Sequence, residues 1–231
     1  MQRPLVRTFV LLALALTAAV GPAAARTVVV ELFQSQGCST CPPADANLAR
    51  IADRPDVIAL SYAVTYWDHL GWKDTFAQPK FTLRQYEYAQ SLRHPNVFTP
   101  QVVVDGRKDG SGIDRTEFLR LVGGAPPAPP GPSVQLKADA VSLGDGRPPA
   151  SPDDVWLVRY DPRTFQVAIG RGENSGKTLP HRNIVRDLVR IGRWSGAAET
   201  LPLPPPADPA WKTAILVQAP KAGPIVAAAK D

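Results

Sequence analysis

Residues 27–43 read TVVVELFQSQGCSTCPP, and the order of elements in this stretch decides the fold. Thr27 to Phe33 is a β-branched, apolar run, the profile of a buried parallel strand. Gln34 to Gly37 makes a turn into Cys38-Ser39-Thr40-Cys41, and Asp45 to Ile51 then has helical character with Leu48 and Ile51 on one side. Pro42 and Pro43 suit a first helical turn, where a missing amide donor costs little. Two cysteines separated by two residues, between a buried strand and a helix start, have the geometry of a redox dithiol. N–H groups of the first turn, at the positive end of the helix dipole, stabilise a thiolate there. Such sites lower a cysteine pKa from about 8.5 to roughly 3.5–7.5. Cys38, nearer the exposed turn, is the expected nucleophile, and Cys41, one helical turn inward, the resolving thiol. One alternative is a disulfide kept for stability, although a loop this short gains only about 2 kcal/mol. Another is a metal pair in which Cys38 and Cys41, with His69, hold Cu(I) or zinc, though no histidine lies at a local ligand spacing.

Outward from this stretch, Val57 to Val64 reads as a second buried strand, Tyr66 to Trp72 as an aromatic loop, and Pro79 to Leu92 as a helix. Thr99 to Val104 is a strand opening on a proline, and Asp105-Gly106 closes a hairpin turn. Asp114 and Glu117 form a capping box, with Ile113 and Phe118 spaced as its hydrophobic staple, for a helix ending at Gly123-Gly124. The order β-α-β-α-β-β-α makes residues 26–124 a layered α/β domain. Residues 125–132, APPAPPGP, form a stiff linker. Residues 133–231 then change to short alternating runs, a β-rich, sandwich-like extension, in which Ile184 to Ile191 fits either a helical or a strand period.

With 231 residues, 44% of them hydrophobic, the chain has the material for a real core and is not a disordered one. Two cysteines exclude a disulfide-dense scaffold and a four-cysteine zinc site. The sequence pI is about 9.4, but no basic run or aromatic-interleaved basic stripe exists, which argues against nucleic acid. Arg182, Arg186, Arg190 and Arg193 read as a solvated face. Residues 1–25 have the charged start, apolar run and small-residue end of a secretory signal peptide cleaved near Ala25. No integral span is expected once it is removed. The mature chain is then periplasmic or secreted, where a resting disulfide is permitted.

CSTC after a strand, with Thr99-Pro100 opening a later one, resembles the thioredoxin fold. That resemblance implies a cis Pro100 facing the dithiol across a substrate groove, preceded by Thr99. Four phrases, VELFQSQGCSTCPPAD, YWDHLGWKD, FTPQVVVDG and HRNIVRDLVRIGRW, are similar to one uncharacterised secreted bacterial thioredoxin-like family. It is the domain-of-unknown-function family numbered twelve twenty-three. Gly37, where no tryptophan precedes the first cysteine, and a long Val64–Thr99 segment depart from an ordinary thioredoxin. The resemblance implies a buried charged residue behind the dithiol as a proton relay, and Glu31 is the candidate; the alternative is a strand-end carboxylate facing water. Tyr66, Trp67, His69 and Trp72 are read as core packing, with an aromatic wall beside the dithiol as the other reading. His181 is read as structural. The expected activity is thiol–disulfide exchange on protein or small-molecule thiols, with no cofactor and the redox partner left open. A Cu(I)-handling protein and a non-catalytic envelope-binding module are the alternatives.

Overall fold

The computed structural model describes residues 27–124, 126 and 129–231. The expected signal peptide and three linker positions (125, 127 and 128) lie outside the described residues. The first half runs β1 (Val28–Gln34), α1 (Pro42–Ile51), β2 (Val57–Ala63), a 3-10 turn (Asp68–Leu70), α2 (Pro79–Ser91), β3 (Gln101–Val104), β4 (Lys108–Gly110) and α3 (Arg115–Gly123). β1 pairs with β2 in parallel and with β3 antiparallel, and β4 pairs with β3.

Side chains of β1 alternate between two layers, as a pleated strand dictates. Val30 and Leu32 pack with Ala44, Leu48 and Ile51 of α1 and with Phe118 and Val122 of α3. Val29 and Phe33 face the other way, into a cluster with Phe81 and Tyr88 of α2. α3 starts where the sequence places its cap, since Asp114 Oδ1 accepts the Glu117 N–H at 2.8 Å. The β3–β4 turn puts Asp105 and Gly106 at φ of 51° and 63°. At Gly106 a methyl group would lie 2.4 Å from the Gly223 carbonyl, so only glycine fits that approach.

The second half adds β5 (Val134–Leu136), β6 (Ala140–Leu143), β7 (Asp153–Asp161), β8 (Phe165–Ala168), β9 (Thr178–His181), β10 (Ile184–Trp194), β11 (Glu199–Pro202), β12 (Lys212–Gln218) and β13 (Ile225–Lys230). Four of these strands continue the first sheet, giving one eight-stranded sheet in the order β13-β12-β7-β10-β2-β1-β3-β4. The chain is thus a mixed α/β protein with one large sheet and three α-helices among the described residues. The joint is narrow. Ile184 of β10 registers with Ser61 of β2, the Ser61 N–H donates to the Asn183 carbonyl at 2.9 Å, and Asn183 Nδ2 donates to the Ala59 carbonyl at 2.9 Å. The stretch from Ile184 that fits two periods is a strand whose pairing with β7 shifts register twice, which breaks a clean alternation.

A three-stranded sheet, β11-β6-β5, packs Val141 and Leu143 onto Val155, Leu157, Ile215 and Val217. β8 and β9 form a separate two-stranded hairpin, joined by the loop from Ile169 to Lys177.

Candidate functional site

The dithiol sits between the C-terminal end of β1 and the start of α1. The Cys38 N–H donates to the Ser35 carbonyl at 3.0 Å and the Cys41 N–H to the Cys38 carbonyl at 3.2 Å, two tight turns that bring the side chains together. Cys38 and Cys41 are joined as a disulfide with Cα atoms 5.5 Å apart. Cys41 is the N-cap residue of α1, whose first turn carries Pro42, and its carbonyl accepts the N–H groups of Ala44 and Asp45 at 3.0 and 3.1 Å. The dithiol thus lies at the positive end of the α1 dipole, where Pro42 and Pro43 carry no N–H and the next two donors are already bonded to the Cys41 carbonyl. Cys38 Sγ also lies 3.4 Å from Thr40 Oγ1.

The Thr99–Pro100 peptide is cis. Trp67 links it to the dithiol turn, for its Nε1–H donates to Thr99 Oγ1 at 2.7 Å while its Cβ lies 3.6 Å from where a Gly37 side chain would begin. Trp72 donates from Nε1 to Gln36 Oε1 at 2.9 Å, two residues before Cys38. The aromatic cluster therefore divides. Tyr66 and Trp67 pack against the α2-side core, while Trp72 braces the loop that carries the cysteines.

Glu31 is wholly buried, so it is not a strand-end carboxylate in water. Its Oε1 and Oε2 accept from Arg84 Nε and Nη2 at 2.7 and 3.1 Å, and the Tyr88 hydroxyl also donates to it. Glu31 shares the β1 face of Val29 and Phe33, towards α2, whereas α1 packs on the opposite face. The geometry gives Glu31 a guanidinium partner on the far side of the sheet from the helix that begins at the dithiol. Arg84 in turn stacks over the Tyr88 and Trp156 rings at 5.1 and 5.5 Å and donates to Gln218 Oε1, tying α2 to β12.

Two buried carboxyl groups on segments adjoining the dithiol turn escaped the reading of the sequence. Asp45 lies four residues after Cys41 on α1 and is buried; burial, then the nearby charge of Asp74, pushes its carboxyl well above the usual carboxylate range. Asp74 accepts the Gln36 and Phe76 N–H groups at 2.7 and 2.8 Å, and burial raises its pKa to about 6. The spacing CxxCPPxD was the one available signal for Asp45, since i and i+4 share a helix face.

His69 is exposed, with Nδ1 2.6 Å from the Tyr66 carbonyl, and among the described residues no three His, Cys, Asp or Glu side chains gather in a way that could hold a metal ion. The alternative ligand set of Cys38, Cys41 and His69 is therefore not brought together. His181 is buried against Phe76 with neither ring nitrogen bonded, and burial lowers its pKa to about 4. Arg182, Arg186, Arg190 and Arg193 each have a carboxylate within 4 Å, namely Asp53, Asp161, Asp154 and Asp154. No helix among the described residues is long and apolar enough to cross a membrane.

The model of the family described as "Protein of unknown function (DUF1223)" matches residues 29–218, and the chain belongs to that family. No curated protein matches it. Among solved structures, the crystal structure of protein AGR_C_4864 from Agrobacterium tumefaciens is similar at 30% identity and a TM-score of 0.71, over 90% of this chain and 95% of that one. HBP35 of Porphyromonas gingivalis is similar in fold, with 15% identity and a TM-score of 0.54 over 89% of this chain and 74% of that one.

Proposed function

We propose, from membership of this family as the premise, that the chain is an exported thioredoxin-like thiol–disulfide oxidoreductase. The observation that carries the reading is the Cys38–Cys41 disulfide at the mouth of α1. Further support comes from the order β1-α1-β2-α2-β3-β4-α3, with β2-β1-β3-β4 adjacent in the sheet. The apolar, small-residue character of residues 1–25 supports export.

In the oxidising direction a substrate thiolate attacks Cys38 Sγ, the Cys38–Cys41 bond breaks, and its electron pair leaves on Cys41. A second substrate thiolate then attacks the substrate sulfur of this mixed disulfide. The substrate departs oxidised, and Cys38 and Cys41 are left reduced. In the reducing direction the Cys38 thiolate attacks a substrate disulfide and releases one substrate thiol. Cys41 then loses its proton, attacks Cys38, and releases the second. Asp45, buried on α1 four residues after Cys41, is the carboxyl group proposed to accept the Cys41 proton; Glu31, the relay the resemblance implied, is engaged by Arg84 on the other face of the sheet. In this reading Thr99 and the cis Pro100 offer their backbone groups to a docked substrate strand.

Insulin reduction with dithiothreitol as electron donor tests the reading. Turnover above the uncatalysed rate, abolished by Cys38→Ser, is the expected result. Turnover that survives Cys38→Ser overturns it.

A further inference from the structure

Cys38 and Cys41 are 0% and 1% exposed, although they sit on a loop before a helix start. Exchange requires in-line approach of a sulfur to Cys38 Sγ, so a site this closed must open before it reacts. A segment from the far half of the chain lies against the turn that carries them. Asn174, itself wholly buried, donates from Nδ2 to the carbonyls of Gln36 and Cys38 at 3.0 and 2.9 Å. Its Oδ1 accepts from Lys177 Nζ at 3.0 Å, which sets the amide's orientation. Glu173 Oε2 accepts from the Ser39 N–H and hydroxyl at 3.1 and 2.6 Å. The backbone lies equally close, for a methyl group at Gly172 would stand 3.6 Å from Trp72 Cβ and 4.0 Å from Gly37 Cα.

We infer that the Gly170–Gly176 loop is a lid, and that substrate reaches the dithiol only when it lifts. This rests on the oxidoreductase reading and adds to it a gate supplied by the C-terminal half. Three features suit the loop to move as a unit. It is closed on itself, with the Gly176 N–H bonded to the Ile169 carbonyl at 2.8 Å and the Ser175 N–H to the Gly172 carbonyl at 3.1 Å. Its stem, β8 and β9, is a two-stranded sheet of its own, so lifting it breaks no ladder of the eight-stranded sheet. Gly172 and Gly176 stand at φ of 79° and 80°, where glycine alone moves without steric cost. The bonds from Asn174 are shielded from water and hold the lid shut; those from Ser39 to the exposed Glu173 contribute less.

The rate at which dithiothreitol reduces the disulfide of the full chain tests the lid. In that step the reagent gives two electrons and two protons and leaves as its cyclic disulfide, while Cys38 and Cys41 become thiols. Asn174→Ala is expected to speed reduction by at least about tenfold, and Glu173→Ala by a few-fold. Equal rates in wild type and Asn174→Ala overturn the lid. If Asn174→Ala loses its cooperative unfolding transition, Glu173→Ala decides, because its side chain is on the exposed side: faster reduction supports the lid and an unchanged rate overturns it. The oxidoreductase reading fails separately. Faster reduction in the variants with no insulin turnover in any form keeps the lid and discards the enzyme.

Discussion

Glu31 and Arg84, 53 positions apart, form a two-pronged ion pair inside the protein, with N–O distances of 2.7 and 3.1 Å and side-chain exposures of 0% and 2%. Removing one partner of such a pair strands the other charge away from water, at a cost of about 3–5 kcal/mol. Arg84→Met is therefore expected to lower the unfolding free energy by about that amount in a urea titration. The double variant Glu31→Gln, Arg84→Met should recover most of the loss. A single variant within about 1 kcal/mol of wild type would show that the pair does not hold α2 to the sheet.

His181 makes stability depend on pH. Its folded pKa of about 4 lies below the unfolded value near 6.5, so the unfolded chain binds the extra proton. Stability is complete above the unfolded pKa and is lost as pH falls towards the folded one. At pH 5 the loss is about 2 kcal/mol. His181→Leu removes it, so the variant should gain about 2 kcal/mol on wild type between pH 8 and pH 5 in denaturant titrations at each pH. A difference that does not change with pH contradicts this account.

Asn183 adopts φ of 53° and bonds β10 to β2 through Ala59 and Ser61. Asn183→Ala pays for left-handed backbone and leaves the Ala59 carbonyl short of a donor, together about 2–4 kcal/mol. Asn183→Gly keeps the backbone freedom and should cost less, in the same denaturation assay. Equal losses would mean that the backbone conformation contributes nothing at this joint.

If Asp45 takes the proton from Cys41, Asp45→Asn should slow release of the mixed disulfide by roughly a hundredfold in stopped-flow measurements. It should also erase the limb of the rate–pH profile that tracks the Asp45 carboxyl. A purely structural Asp45 predicts profiles of the same shape.

How far the sequence reaches depends on the range of the interaction. The first half was legible because its signals are local: β-branched runs, prolines in first turns, Asp114 capping three residues ahead, and Asp105-Gly106 turning a hairpin. The C-terminal strands were visible as strands, but their place in the sheet was not, because it depends on Ile184 meeting Ser61 over a distance that no local pattern records. The burial of Glu31 was open for the same reason, since its partner lies on α2. The contact on the Cys38 turn is the extreme case. The glycines at 170, 172 and 176 read as a turn, and only the folded chain places Asn174 against a carbonyl 136 positions earlier.

Trapping tests the central claim most directly. Cys41→Ala leaves Cys38 without its resolving partner, so any substrate sulfur it captures stays bound. Exposed to a disulfide-bearing protein such as insulin, this variant should accumulate a covalent adduct at Cys38 that dithiothreitol releases and that the additional change Cys38→Ser abolishes. No adduct, in protein whose Cys38 is shown by alkylation to be a free thiol, would contradict exchange at this sulfur.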